Sequence, residues 1–529
     1  MIKTLSNAVR NNLTFLIPLL LLIPLYIILY KIYIPRVNAF GCFDDCNNFM
    51  RGYFVLQGKE LFSEVFSGHQ PLGSYLSTII QFVTSPQNVF ELVLRHRQFI
   101  LLFGFIFNVI LILRFGAKVI LFILIFEFTK FYLFGDRFLG DAMIIYPLAY
   151  TFGVVFEKLT KHPPKAIDYY LTSLFTWFIV FMRAPYVPVA LAPFLLILWG
   201  KSQKPHVKLS AFLFVAFSFI TVVLHDIGEY FFNVVTFNYL VNLPSEIKAD
   251  MFGNRFFQSF LYPLYVFFYG DWNIIKQTLV LVDIVFLVNI FLLFKNKAYK
   301  LGVTILALLG LANIRVVVPG TIFYEAFHML VWYGLFIFTS VWLSFATLKN
   351  KFLLSFVVLI IFISILNIII SPSYFAREKH DQHAELITNY GRIMQVGEVI
   401  RALSKPGDTL FLDGSDDLIY WQAKLPSPYK YVWYTSSMPA FKKYTDARLE
   451  MFHDNPPTFY REYGSCPKKT DVAENYRLPD FIANQYVRLY NFNKPSCLFV
   501  RKDELQYISK LQWQKAAESL YTLPENEKN

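Results

Sequence analysis

Long apolar runs separated by short polar segments dominate the first 371 residues of the chain. A helix needs about 20 apolar residues to cross a bilayer, and about 17 is the practical minimum. The pattern therefore predicts eleven transmembrane helices, at 13–34, 98–113, 117–134, 141–157, 167–183, 185–200, 208–224, 278–294, 301–318, 324–346 and 352–371. No signal-peptide cleavage site follows the first run, so we expect it to stay as an anchor.

A further apolar segment, residues 256–270, is short and contains Pro263. We interpret it as an interfacial or re-entrant piece. If it crossed the membrane, the chain would have twelve spans, and the orientation derived below would have to be derived again.

The pattern changes after residue 371, where helical and strand periodicities alternate. Residues 381–407 predict an amphipathic helix that ends at Pro406 and Gly407. Strands are predicted at 408–414, 430–435 and 496–502, and helices at 415–424, 480–491 and 503–520. The sequence thus predicts a polytopic α-helical membrane domain, residues 1–371, followed by a soluble α/β domain, residues 372–529.

The composition agrees with a membrane protein, since 56% of residues are hydrophobic and 16% are charged. Soluble domains carry about a quarter charged residues. The net charge is +12, but the excess lies in the hydrophobic part. Residues 1–371 hold 28 Lys and Arg against 17 Asp and Glu, whereas residues 372–529 hold 21 against 20. This distribution leaves no basic face for a nucleic acid.

The basic residues follow the positive-inside rule if the N-terminus is cytoplasmic. The inner segments then contain Lys3, Arg10, Arg114, Lys118, Lys158, Lys161, Lys165, Lys201, Lys204, Lys208, Lys295, Lys297, Lys300, Lys349 and Lys351. The loop 35–97, the turn 134–142 and the tail 372–529 face outward. We therefore expect a multi-pass protein of the plasma (inner) membrane with an extracytoplasmic C-terminal domain.

The first outer loop begins with an acidic pair in the stretch CFDDCNNFMRG. Asp44 or Asp45 is suited to cap a helix that runs to about Gln57 and ends at Gly58. This helix would have an apolar side fit to lie along the membrane surface, formed by Phe49, Met50, Tyr53, Phe54 and Leu56.

Four cysteines add little to this picture. Cys42 and Cys46 flank the acidic pair, and Cys466 and Cys497 lie in the tail. The second two could form a disulfide in an extracytoplasmic compartment. The favoured interpretation is that all four are small apolar fillers.

The order of residues in the first outer loop resembles the GT-C glycosyltransferases, in particular bacterial relatives of the protein O-mannosyltransferases and the aminoarabinose transferase. The matching residues are Asp44-Asp45, Gly58-Lys59, Phe62, Glu64 and His69-Gln70-Pro71-Leu72. The family's Asp-Glu pair is Asp-Asp here, and its second proline is Gln70.

The resemblance covers roughly residues 13–346. Asp136 and Asp141 resemble the family's second acidic site, and FMRAPYVP around Arg183 resembles its basic junction. The segment PGTIFYEAFHMLVWYGL, which contains His328, resembles its late Pro…His element.

This resemblance implies transfer of a sugar from a polyprenyl-phosphate carrier to an acceptor hydroxyl on a cell-envelope glycan, lipid or protein, with inversion. Asp44 would be the general base, and Asp45 a supporting acid or metal ligand. Glu64 and His69 would belong to the acceptor loop, and Asp136 and Asp141 to the second acidic site. The cations for the donor phosphate would be Arg183, Arg315, His328 and Arg97.

No metal or cofactor is assigned with certainty. If a divalent cation is used, its ligands would come from Asp44, Asp45 and Asp141. The O-mannosyltransferase branch works without a divalent cation, and the resemblance implies the same for this chain.

Every candidate also has a structural interpretation. The acidic pair could be a helix cap, His69 a loop-fixing residue, Asp136 and Asp141 a turn and a cap, and Arg183 an interfacial anchor. Arg315 and His328 could be ordinary loop groups, and Arg95 and Arg97 could bind lipid headgroups. Within the spans, Glu127 and Lys130 are expected to pair at i,i+3, and Asp283 could bind a helix neighbour.

Two other functions remain open. A flippase or transporter for lipid-linked glycans predicts polar residues at mid-membrane depth. A non-catalytic scaffold predicts that Asp44 can be lost without consequence.

Overall fold

The computed structural model describes residues 2–37, 41, 44–199, 204–242, 274–313, 327–347, 382–414, 418–462 and 477–524, with a few isolated positions between 358 and 366. This part of the chain is mostly helical, with a small sheet near the C-terminus. The chain forms two compact units. Unit 1 comprises residues 1–37, 96–223 and 244–380, and unit 2 comprises residues 38–95, 224–243 and 381–529.

The elements are numbered in chain order. The helices are α1 (Ile2–Tyr33), α2 (Asp44–Leu56), α3 (Leu72–Thr84), α4 (Val89–Phe115), α5 (Ile120–Thr129), α6 (Gly140–Leu159), α7 (Ala166–Met182), α8 (Val187–Leu198), α9 (Lys204–Val223), α10 (Ile227–Phe231), α11 (Ile274–Lys295), α12 (Tyr299–Ala312), α13 (Leu330–Thr347), α14 (Gln382–Leu403), α15 (Leu418–Ala423), α16 (Lys442–Asp454), α17 (Asp480–Ala483) and α18 (Lys510–Glu518). The strands are β1 (Leu410–Leu412), β2 (Phe459–Arg461), β3 (Tyr486–Asn491), β4 (Lys494–Arg501) and β5 (Tyr521–Thr522).

Six helical segments of the described residues are long and apolar enough to cross a membrane: Leu16–Tyr33, Val89–Leu133, Gly140–Leu159, Lys204–Val223, Ile275–Lys295 and Phe327–Ala346. Three apolar helices are shorter: Ala166–Met182, Ala184–Leu198 and Tyr299–Ala312. The predicted helical architecture is thereby confirmed and is consistent with a membrane protein, whereas the count of eleven spans stays a prediction. The segment 256–270 and most of 352–371 lie outside the described residues.

Helix α6 forms the centre of unit 1, because every residue from Gly140 to Phe156 is buried. Two glycines allow close helix packing. A Cβ at Gly153 would lie 2.5 Å from Cζ of Phe115 on α4, and one at Gly334 on α13 would lie 2.8 Å from Cγ2 of Ile145 on α6. Close approach of these backbones therefore depends on the missing side chains.

The expected pair of Glu127 and Lys130 is confirmed, with 2.6 Å between Nζ and Oε2, and both side chains are buried. The other carboxylate oxygen of Glu127 accepts hydrogen bonds from Tyr146 Oη at 2.7 Å and from Asn108 Nδ2 at 2.9 Å. A charged pair in an apolar bundle is tolerable when its remaining hydrogen-bonding capacity is used in this way.

A second polar cluster joins α4, α6 and α7. Arg114 donates from Nε and Nη2 to the two carboxylate oxygens of Asp168, at 2.7 and 2.9 Å. Tyr150 Oη donates to Asp168 at 2.6 Å, and Glu157 lies 2.7 Å from Arg114. The bidentate geometry fixes the three helices relative to one another.

Asp283 on α11 contrasts with these pairs. It is fully buried, and neither of its carboxylate oxygens has a hydrogen-bond partner among the described residues. The helix neighbour considered for it is therefore not seen in this part of the structure. A buried polar group without a partner costs free energy.

Glu127→Gln and Asp283→Asn make a matched comparison of these two buried acids. We expect Glu127→Gln to cost about 3–5 kcal/mol, because Lys130 keeps its charge in an apolar bundle. Asp283→Asn should be neutral or stabilising, because no described contact is lost. Thermal unfolding of both variants in nanodiscs measures the difference, and an equal loss of stability would show that Asp283 has an essential partner.

Unit 2 begins with α2, which starts at the acidic pair and ends as predicted. Gly58 has φ +88°, the N–H of Lys59 donates to the carbonyl of Phe54, and that of Gly58 donates to Val55, both at 3.0 Å. These two bonds form a Schellman motif, which glycine favours at the left-handed position.

The predicted membrane-surface role of α2 is wrong for most of its apolar side. Phe49, Met50, Tyr53 and Phe54 are buried, and Leu56 is exposed. Helix α2 packs against α3 and α15 instead. Helical periodicity shows which side of a helix is apolar but not what covers it.

Gln81 on α3 joins the three helices through one buried amide. Its Nε2 donates to the carbonyl of Phe49 at 2.7 Å and to Ser77 Oγ at 3.1 Å. Its Oε1 accepts from the indole Nε1–H of Trp421 on α15 at 3.1 Å. Gly52 on α2 lets α3 approach, since a Cβ there would lie 2.8 Å from the backbone nitrogen of Thr78.

The sheet of unit 2 has the strand order β1-β2-β4-β3-β5. Strands β1 and β2 are parallel, and the other pairs are antiparallel. The predicted strands at 408–414 and 496–502 are confirmed in β1 and β4. The strand predicted at 430–435 is wrong, because this segment forms turns with one bridge from Tyr434 to Asp413.

Two further expectations for unit 2 are corrected. The helix predicted at 480–491 is limited to α17, and the rest is strand β3. Cys46 and Cys497 each take part in a disulfide bond. The interpretation of these two cysteines as small apolar fillers is therefore wrong. The proposed pairing of Cys497 with Cys466 lies outside the described residues.

Gln81→Leu should lower the free energy of unfolding by about 1–3 kcal/mol, because it removes the acceptor of the buried Trp421 N–H and the bond to the Phe49 carbonyl. Gln87→Leu is the matched control, since Gln87 is exposed and its amide bonds locally to the Ser85 carbonyl. Chemical denaturation of both variants checks this; equal effects would remove Gln81 as the junction of the three helices.

Candidate functional site

The residues predicted to carry function divide between the two units. Unit 2 contains Asp45, Glu64 and His69, while unit 1 contains Arg97, Asp136, Asp141, Arg183 and His328. Asp44 is the first residue of α2, but its side chain lies outside the described part of the structure, as does Arg315. Asp45 follows it in the first helical turn and is fully buried.

Three of the predicted residues come together in unit 1. Arg183 Nε lies 2.9 Å from Asp141 Oδ2, and both side chains are buried. The hydroxyl of Tyr186 donates to Asp141 Oδ1 at 2.9 Å and is 3.3 Å from the backbone carbonyl of His328. A carboxylate from one segment of the chain thus meets a guanidinium and a phenol from a second, and a third segment contributes the backbone carbonyl of His328.

Local backbone geometry places these groups. Asp141 lies in the first turn of α6, where the helix dipole favours a negative charge. Arg183 is extended (φ −150°, ψ 99°) between the end of α7 and a short 3₁₀ turn, Ala184–Tyr186. Gly140 lets the two segments meet, since a Cβ there would lie 3.4 Å from Cβ of Arg183 and 3.1 Å from Cγ of Met182.

Asp136 is buried beside Arg137, with 3.5 Å between Oδ1 and Nε. Neither Arg137 nor Tyr186 was predicted from the sequence as a functional residue. A signal for Arg137 was present, because it stands in a predicted outer turn against the positive-inside trend, as Arg95 and Arg97 do. Tyr186 gave no such signal in a chain with 33 tyrosines.

Arg97 is buried and donates to the backbone carbonyl of Val37, beyond the end of α1. Neighbouring His96 is also buried and packs edge-on against Phe138 at 4.9 Å. The headgroup-binding interpretation of Arg97 is therefore wrong in this structure, since its guanidinium faces protein. Its predicted role toward the donor phosphate stays a prediction.

In unit 2, Glu64 is held locally. Its two carboxylate oxygens accept from Lys59 Nζ at 2.8 Å and from the N–H of Glu60 at 2.9 Å. The hydrogen bond from Lys59 lowers the pKa of Glu64 below its usual value. A lowered pKa makes a carboxylate a weaker base, which favours a structural role for Glu64.

The loop from residue 60 to residue 71 carries Glu64 and His69, and a later segment holds it. Asn233 Oδ1 accepts from the N–H of Ser67 at 3.4 Å, and Asn238 Nδ2 donates to the carbonyl of Gly68 at 2.7 Å. Tyr230 Oη donates to Gln70 Oε1 at 2.8 Å. The His69 N–H donates within the loop, to Ser67 Oγ at 3.3 Å.

Among the described residues, no group of three or more His, Cys, Asp and Glu side chains is arranged to hold a metal ion. The suggested metal ligands Asp44, Asp45 and Asp141 include Asp44, whose side chain lies outside the described residues.

No family model matches the sequence, and no curated protein or solved structure matches it.

A double-mutant cycle measures the Asp141–Arg183 pair. We expect Asp141→Asn to cost about 3–5 kcal/mol, because it leaves a buried guanidinium unpaired. Adding Arg183→Gln should recover part of that loss, giving a coupling energy of at least about 1 kcal/mol.

The half-exposed pair of Lys59 and Glu64 provides the control cycle, with an expected coupling below about 1 kcal/mol. Free energies of unfolding in detergent give both values. Additive effects at Asp141 and Arg183 would contradict a coupled cluster.

Proposed function

We propose that this chain is an integral membrane glycosyltransferase of the GT-C type, which moves a sugar from a polyprenyl-phosphate donor to an acceptor hydroxyl at the extracytoplasmic face. The acceptor is a glycan, lipid or protein of the cell envelope. The observation that carries the proposal is the cluster of Asp141, Arg183 and His328. Arg183 pairs with Asp141, and the hydroxyl of Tyr186 lies within hydrogen-bond distance of Asp141 and of the backbone carbonyl of His328, so three separate family-like motifs meet at one point of unit 1.

In the proposed reaction, Asp44 accepts the proton of the acceptor hydroxyl while that oxygen bonds to the anomeric carbon of the sugar. Attack comes from the face opposite the phosphate, so the configuration inverts. The bond from the anomeric carbon to the phosphate oxygen breaks, and its electron pair leaves with the polyprenyl phosphate. Asp45, in the next position of α2, supports Asp44.

The leaving phosphate gains negative charge, which preorganised cations stabilise. Arg183, Arg315, His328 and Arg97 are the proposed cations. For Arg183, the contact with Asp141 fixes the guanidinium, so Asp141 acts in the proposal as a positioning residue. A fixed cation needs little rearrangement as the charge develops.

The proposed topology has eleven spans, a cytoplasmic N-terminus and unit 2 outside. The disulfide bonds of Cys46 and Cys497 support this side assignment, because disulfides persist in oxidising compartments. Both cysteines belong to unit 2. The basic residues of the predicted inner segments support the same orientation.

Asp283 favours one alternative function. A buried carboxyl without a described partner inside an apolar helix is typical of transporters. Glu127 and Lys130 are less informative, because they neutralise each other. A transporter would depend on Asp283 and tolerate loss of Asp44, whereas the proposed transferase shows the opposite dependence.

Glycosyl transfer in membranes that express the wild type or Asp44→Asn, with a panel of radiolabelled polyprenyl-phosphate sugars, tests the proposal. We expect one donor to be consumed by the wild type. Asp44→Asn should lower the rate by about 10²–10⁴-fold, the scale of lost base catalysis.

Asp446→Asn is the matched control, since Asp446 is exposed on α16 and has no role in the proposal. It should keep wild-type activity at equal expression. If Asp44→Asn is as active as the wild type, Asp44 is not the base. If the wild type consumes no donor on a broad panel, the proposed glycosyltransferase activity is contradicted. In the same assay, Asp283→Asn should keep wild-type glycosyl transfer, because the proposed transferase does not depend on Asp283. A transporter would depend on this residue.

A further inference from the structure

The segment that holds the 60–71 loop has an unusual backbone. Helix α10 continues into two π-helical turns, Phe232–Thr236 and Asn238–Asn242. At each turn an asparagine amide donates to the carbonyl four residues earlier: Asn233 to Glu229 and Asn238 to Val234, both at 2.8 Å. Side-chain bonds of this kind compete with the helical ladder, and π-turns are common at functional positions.

This segment, residues 227–242, has two distinct sides. One side carries Tyr230, Asn233 and Asn238, which hold the 60–71 loop, and the buried Val234 and Phe237. The other side carries large apolar side chains that are at least half exposed: Ile227, Phe231, Val235, Tyr239 and Leu240. Their spacing of four residues keeps them on one continuous stripe.

Helix α3 presents a second exposed apolar stripe, formed by Ile79, Phe82 and Val83. The two segments are linked within unit 2, because Tyr75 Oη on α3 lies 2.7 Å from His225 Nε2. The ring of His225 in turn stacks on Tyr230 at 5.8 Å. Exposed apolar residues concentrated in this way mark an interaction surface.

Chain connectivity indicates what covers these stripes. Three residues separate α10 from Val223, the end of membrane-span candidate α9, and four separate α3 from α4. Fully extended links of these lengths reach at most about 14 and 18 Å. Along the chain, each stripe therefore lies close to one end of a helix that is long and apolar enough to cross the bilayer.

The charge of the segments fits an apolar partner. Helix α3 has no charged residue, and residues 227–242 have one, Glu229. Glu229 lies 2.9 Å from Lys443, which compensates it. We propose that the stripes of residues 227–240 and of α3 insert into the bilayer interface, so that the 60–71 loop is anchored to the membrane surface.

This anchoring is independent of the sugar chemistry proposed above. Interfacial segments with an apolar face and few charges bind by burial of apolar area, and not by attraction to anionic lipids. The anchoring should therefore be equal in neutral and anionic bilayers and insensitive to salt.

Spin labels on the full-length chain in phosphatidylcholine liposomes test the inference. Single variants Phe231→Cys, Val235→Cys and Tyr239→Cys are labelled, with labelled wild type as background. We expect each label to collide more often with oxygen, which dissolves in the bilayer, than with a water-soluble nickel complex. The preference should persist when anionic lipid or salt is added.

Tyr507→Cys and Leu511→Cys are matched controls, because both residues are large, apolar and exposed in unit 2, far along the chain from any described span. Their labels should prefer the nickel complex. Nickel access at Phe231, Val235 and Tyr239 equal to that of the controls would overturn the inference, since the stripe would lie in water. Low access to both reagents would also overturn it and indicate a protein partner. No glycosyl donor is involved, so neither result bears on the proposed transferase.

Discussion

The structure of unit 2 depends on one buried amide. Gln81 contacts α2, α3 and α15 together, and each of its polar atoms has a partner from a different segment. A half-satisfied amide in this position would be costly, so the three helices have one favourable arrangement. The helix that begins at the acidic pair, α2, is therefore held in place by α3 and by the C-terminal helix α15. This arrangement gives the C-terminal residues of unit 2 a structural task, the support of the first loop.

Unit 1 follows a different rule, in which buried charges are grouped with partners. Glu127 with Lys130, Asp168 with Arg114 and Asp141 with Arg183 each join a carboxylate to a cation inside the helices. Such pairs contribute little net stability, but loss of one partner is severe. The Asp168–Arg114 pair joins α7 to α4, and the Asp141–Arg183 pair joins the start of α6 to the residue after α7. Asp283 departs from the rule among the described residues. An ionisable residue inside the membrane without a charged partner is a good place to look for function.

Local features were predictable from the sequence, and partners were not. The bounds of α2 and its end at Gly58 followed from capping residues, and the pairing of Glu127 with Lys130 followed from helical spacing. The burial of the α2 apolar side did not, because Trp421 and Tyr420 lie more than 300 positions away. Residues 430–435 are rich in aromatic and β-branched residues, which favour strands. Yet Tyr431 and Tyr434 pack into a core of tyrosines and phenylalanines. Within the candidate cluster, Asp141 and Arg183 were identified separately, but their contact depends on Gly140, whose role is steric and invisible in a motif.

Unit 2 is assembled from three pieces of the chain, and this affects how the protein can be made. The hydrogen bond between Gln81 and Trp421 spans 340 positions. The 60–71 loop is held by Asn233 and Asn238, which are synthesised much later. Contacts of such long range form slowly, because a large loop must close first. During synthesis, α2 and α3 leave the ribosome long before their partners exist, with Phe49 and Phe54 still uncovered. The first loop is therefore a nascent segment in need of protection, and unit 2 can be completed only after most of unit 1 has been synthesised.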